Sequence, residues 1–184
     1  MATSTSNVSN AKPKVGGSIW VAPYGSKLPV DSTTALDSTY KCLGYISDSG
    51  VTSHDTKSTT SIKAWGGDTV LVVTSDHEDT LSYELLEVLS VEVLKHIYGE
   101  DNVRGTLATG ITVASSADNA PTVSLVAEMM LNGATKRMVY PKTILTAVGD
   151  VSYVDSDKMG YACTETALAD DEGHTHYEYI KATA

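Results

Sequence analysis

His174 and His176, with Asp170, Asp171 and Glu172 just before them, are the residues of this 184-residue chain best spaced for a metal ion, since alternate strand positions carry both imidazoles to one face. The pattern supplies no third or fourth ligand, so the expected reading is a solvated polar segment and no metal site. Asp76-His77-Glu78-Asp79 could present carboxylates to a cation, but it reads more simply as an acidic bend between two strands. Asp155 and Asp157 sit in turn-like sequence. Cys42 and Cys163 are too few for a disulfide framework and read as core or edge thiols. Nucleophile elbows, phosphate loops, dinucleotide turns and zinc-protease helices are all missing from the sequence. No catalytic residue and no cofactor is expected.

The elements that would have to position any site are mostly strands. Thr and Ser are abundant and good helix formers sparse outside one short region, which favours strands joined by polar turns. With 13 Lys and Arg against 23 Asp and Glu, the net charge of -10 argues against nucleic-acid phosphates as the main ligand. Arg104 and Arg137 are the only arginines. No apolar stretch is long enough for a spanning helix and the first residues lack a signal-peptide core, so no membrane role and no ordinary secretion is expected.

Residues 1–14, small and polar, are expected to form a flexible arm before a single domain over 15–184. Strands are expected over 18–22, 41–47, 69–75, 80–86, 122–131, 134–140, 142–154, 159–168 and 177–180. A turn is expected at Asp48-Ser49-Gly50, and Thr52 to Ser61 reads as two exposed strands or a loop ordered on contact. Gly66-Gly67-Asp68 signals a turn, and Asn132-Gly133 a two-residue hairpin. Residues 24–39 form a connection long enough to imply a purpose. One helix is expected from about Ser90 to Tyr98, capped by Ser90 and Gly99; its wide apolar face implies packing on a sheet. A turn is expected around Asp101 to Gly110.

Several segments in order resemble the major tail protein, or tail tube protein, of long-tailed phages with non-contractile tails. Gly16-Gly17-Ser18-Ile19-Trp20-Val21-Ala22-Pro23, followed by Leu28-Pro29-Val30-Asp31, looks like that family's opening strand and loop. Leu43 to Val51 looks like its second strand and turn, Ile62 to Val70 like its third element, and Leu85-Leu86-Glu87 leading to Val91, Leu94, Tyr98 and Gly99 like its helix. The series covers roughly residues 15–103.

The resemblance implies a mainly β fold, a β-sandwich or barrel of the tail tube type with one flanking α-helix. It further implies six copies closing into a ring, with rings stacking into a tube through which the genome passes. The N-terminal arm and a loop near 48–68 would contact the neighbouring ring, with Lys12, Lys14, Trp20, Asp48, His54 and Trp65 as candidate contacts. The acidic balance suits a conduit whose wall repels DNA phosphates, making Asp76, Glu78, Asp79 and Glu84 candidate lumen-facing acids. Implied partners are copies of itself, tape-measure, tail terminator and distal tail proteins, and DNA only in transit. The implied location is the virion tail, with assembly in the host cytoplasm. The rival from another class is a β-rich binding module of adhesin or carbohydrate-binding type, which ten Tyr would permit.

Overall fold

The computed structural model describes residues 3–117 and 120–183. Its strands in chain order are β1 (Lys12–Pro13), β2 (Ile19–Pro23), β3 (Lys41–Cys42), β4 (Ile46–Lys63), β5 (Thr69–Leu85), β6 (Val103–Thr106), β7 (Gly110–Val113), β8 (Thr122–Leu131), β9 (Ala134–Val148), β10 (Tyr161–Ala167) and β11 (Tyr177–Ala182). One α-helix, α1 (Val91–Tyr98), lies between β5 and β6. Nine strands form an antiparallel sheet in the order β3-β2-β8-β9-β10-β5-β4. β1 continues the line of β2 along β8, and β11 lies beside the first half of β9. The fold is mainly β with one helix, consistent with a β-sandwich.

Side-chain alternation builds two cores, one on each face of the central strands. Ile19, Leu125, Ala127, Met138 and Tyr140 point to one face, where they meet Leu81, Tyr83, Leu85 and Cys163 from β5 and β10. Helix α1 covers this face with Val93 and Leu94. Trp20, Ala22, Val126 and Val139 point the other way and pack with Leu28, Leu36, Tyr40, Tyr177 and Tyr179. The long connection over 24–39 is thus the lid of the second core. Arg137, 1% exposed, holds it there: Nη1 donates to the Asp31 carbonyl (2.6 Å) and Nη2 to the Thr34 carbonyl (2.9 Å). Its cross-strand neighbour Glu128 accepts two more, from Nε at 2.9 Å and Nη2 at 2.5 Å, both on Oε1.

Several boundaries differ from the sequence reading for local reasons. Residues 41–47 are not one strand, because the chain breaks at Gly44 (φ +76), where a Cβ would lie 2.1 Å from the Glu87 carboxyl carbon. No hairpin turn forms at Asp48-Ser49-Gly50; β4 runs through it with a register irregularity between Ile46 and Val51, which Gly50 (φ +73) accommodates. Nor does the chain bend at Asp76–Asp79, since β5 is continuous from Thr69 to Leu85 and Thr52–Ser61 is one strand paired along it. The strand expected to reach 154 ends at Val148, and the turn expected around 101–110 contains the small β6–β7 hairpin. Helix α1 does begin after Ser90 and ends at Gly99 (φ +91), although the Ser90 side chain makes no cap hydrogen bond. The β8–β9 hairpin turns at Asn132-Gly133 as the sequence predicts.

Candidate assembly surface

β4 and β5 pair along almost their whole length and turn at Ala64–Asp68, where the Ala64 amide donates to the Asp68 carbonyl at 2.8 Å. Every residue from Thr52 to Glu78 is exposed, so both faces of this hairpin lie in solvent. At about 3.3 Å per residue, Thr52 to Lys63 carries the turn roughly 40 Å beyond the hairpin's root. The outer third is apolar on both faces. Ile62 pairs with Leu71 and shares a face with Val73, whereas Val72 alternates to the opposite face and Val70 sits at a register irregularity next to the turn. Trp65 at the turn is fully exposed. A protruding ribbon of Val-Leu-Val-Val is a sticky edge in water and calls for a covering surface.

The middle of the hairpin is polar. His77 Nε2 lies 2.7 Å from Asp55 Oδ1, and His54 Nε2 lies 3.4 Å from the Thr56 hydroxyl. Asp76, Glu78 and Glu84 occupy alternate positions on one face of β5, together with Thr80 and Ser82. Thr52, His54, Thr56 and Ser58 oppose them on β4, and Thr164 and Thr166 on β10. This face is therefore a field of hydroxyls and carboxylates. Glu84 also accepts from the Lys158 ammonium, the main reason its carboxyl titrates below the usual range.

Asp79 belongs elsewhere. It points to the opposite, inward face, is 1% exposed, and accepts a 2.6 Å hydrogen bond at Oδ2 from Nδ1 of His176. A buried, paired carboxylate presents no charge on the subunit surface, unlike the lumen-facing acid the sequence suggested. Burial works to raise the Asp79 pKa, but the bonds from His176 and Thr175 outweigh it and hold the group low. The same bond raises His176 against the opposing effect of burial. The His174/His176 pair is thereby accounted for: His176 stacks on Tyr140 at 5.1 Å between centroids, and His174 Nδ1 lies 3.1 Å from the Tyr177 hydroxyl. Among the described residues no group of three or more His, Cys, Asp or Glu is arranged to hold a metal.

At the root of the hairpin lies a cleft of about 730 Å³, walled by residues 11–18 on one side and 44–51 on the other, with Cys42, Glu87 and Met129 behind. The segment expected as a free arm forms its wall. Lys12 and Pro13 pair with Met130 and Met129, and the Lys14 ammonium donates to Glu128 Oε1 at 2.8 Å. Residues 3–11 are exposed, and Met1 and Ala2 lie outside the described residues. Val15 (98% exposed) and Tyr45 (78% exposed) are large apolar side chains on these walls. Of the candidate contacts, Lys12, Lys14 and Asp48 converge on this cleft, and His54 and Trp65 ride on the hairpin. Trp20 is half-buried in the second core.

An exposed apolar ribbon and a sheet face of hydroxyls and carboxylates suit a subunit that packs against other chains. A family model described as phage tail tube protein matches residues 1–184, the whole chain. The chain belongs to that family. As a tail tube protein it is a structural component of the phage tail and self-assembles into a tube within it. No curated protein matches the sequence.

Sequence reasoning missed Tyr45, Val15 and the run Val70–Val73 as surface features of this tail tube protein. The signal for the run was available. The polar run Thr52–Ser61 before its partner Ile62 offers no large apolar residue to build a core around it.

Proposed function

We propose that this tail tube protein closes into six-membered rings that stack into the conduit for genome delivery, acting as a structural and non-catalytic part of the virion. Residues 15–184 serve as one building unit. The observation that carries this reading is the β4–β5 hairpin, whose apolar outer third has no cover within its own subunit on either face. Copies assemble in the host cytoplasm along a tape-measure protein, with terminator and distal tail proteins closing the two ends. The face bearing Asp76, Glu78 and Glu84 with its rows of Ser and Thr supports a lumen assignment. Carboxylates repel DNA phosphates, and hydroxyls offer no cation to hold them. Sedimentation velocity of the purified chain across a concentration series tests the assembly. Conversion to very large particles with rising concentration is expected, whereas a monomer at every concentration and with tape-measure protein would return the choice to the β-rich binding module.

A further inference from the structure

We propose that two histidine–aspartate pairs at the root of the β4–β5 hairpin, His176 with Asp79 and His77 with Asp55, form a proton-controlled latch that fixes the hairpin to its own subunit, so that assembly of this chain is switched by pH. The latch regulates the assembly surface described above, and its role in assembly rests on that reading.

The pairs sit where the ribbon meets the body. Every residue of β5 from Thr69 to Glu78 is exposed, and Asp79 is the first buried one. Alternation puts His77 on the same face of β5 as Asp79, and Asp55 stands opposite Asp79 on β4. His77 Nε2 lies 2.7 Å from Asp55 Oδ1, which ties the two ribbon strands to each other. His176 ties them to the body. Its Nδ1 is 2.6 Å from Asp79 Oδ2, its ring stacks on Tyr140 of β9, and the Tyr140 hydroxyl lies 3.3 Å from the Ser53 hydroxyl of β4. Charge gives the latch its sign. The carboxylates facing this root are Asp79, Asp55 and Glu178 of β11; the cationic groups are His176, His77, Lys57 opposite His77, and Lys136 of β9, 2.6 Å from Glu178. While His176 is protonated, the buried Asp79 carboxylate faces an imidazolium. Loss of that proton leaves a buried anion beside two further carboxylates, a costly arrangement that is relieved when the root opens to water. The hydrogen bond to Asp79, helped by the charges of Asp79, Glu178 and Asp55, holds the His176 pKa up against burial. The latch is therefore complete below the ordinary histidine value and lost as pH rises through the folded one.

Hydrogen exchange of the full chain below its assembling concentration, corrected for the intrinsic pH dependence of exchange, reads the latch directly. Between about pH 6 and 9, protection at 51–55 and 79–83 should fall about tenfold more than protection at 125–127 and 138–140 in the β8–β9 core. His176→Gln should abolish that difference. Should His176→Gln fail to fold, Glu178→Gln carries the test: with one facing carboxylate gone and His176 intact, the root should lose less protection at high pH. The concentration needed for assembly should rise over the same pH range, and by more in the unaltered chain than in His176→Gln. A rise shared equally by both would come from the chain's overall charge and overturn the latch, as would exchange that quickens uniformly across root and core. Root opening in a chain that assembles at neither pH would uphold the latch and overturn the assembly reading instead.

Discussion

Glu128 and Arg137 face each other across β8 and β9, almost fully buried, and together tie three parts of the molecule. Arg137 grips the backbone of the 24–39 lid, while Glu128 receives Lys14 from the N-terminal wall of the cleft. Taking away one partner of a buried ion pair strands the other charge. Glu128→Ala should therefore cost about 3–5 kcal/mol in urea unfolding. A loss below about 1 kcal/mol would show that water reaches Arg137. The His176–Asp79 pair yields a pH dependence whose sign is fixed. The raised His176 pKa contributes stability that is complete below the ordinary histidine value and is lost as pH rises through the folded value. The lowered Asp79 pKa contributes stability complete above the ordinary carboxylate value and lost as pH falls through the folded one. Wild type should thus exceed His176→Gln in stability most between about pH 4 and 6.5, and the difference should shrink towards pH 9. Only the Glu128–Arg137 pairing was within reach of the sequence, because the two-residue turn at Asn132-Gly133 sets 128 opposite 137. Alternation cannot tell Asp79 from a solvated acid, and the partners His176 of Asp79 and Lys14 of Glu128 lie far away along the chain.

Elements that pack on the sheet were the readable ones. β8, β9 and their turn emerge from an alternating pattern around Asn132-Gly133, and α1 from a stripe that must be buried. β4 and β5 were misjudged for a physical reason: they leave the sheet, so beyond the root no core imposes alternation on them. Polar runs at 52–61 and 76–79 then look like loop and bend, although ladder bonds along the partner strand hold both extended. The hairpin's independence from both cores leads to a clear expectation. Replacing residues 59–75 with Asn-Gly should leave the thermal midpoint within a few degrees of wild type, because no core residue is lost, yet abolish assembly. Unfolding of that variant would mean that the ribbon supports the core. Tubes formed by it would mean that the ribbon is not a contact.

At the scale of the whole molecule, composition and a series of weak local resemblances carried the family, and what they could not carry was direction. Charge balance alone does not say which face holds the acids. The structure places Asp76, Glu78 and Glu84 on one hydroxyl-rich face and turns Asp79 inward. Replacing Asp76 and Glu78, the two exposed acids of this face, with Lys should give tubes of normal length that retain DNA and deliver it slowly in a salt-dependent way, measured by dye release from DNA-filled particles. Equal release rates at all salt concentrations would place the face outside the lumen. The central claim, that copies of this chain stack into a hollow tube through their hairpins, is tested most directly by electron microscopy of the purified protein at assembling concentration. Hollow sixfold tubes with the β4–β5 ribbons buried between copies are the expected result. Isolated monomers, or tubes whose ribbons project freely into solvent, would contradict it.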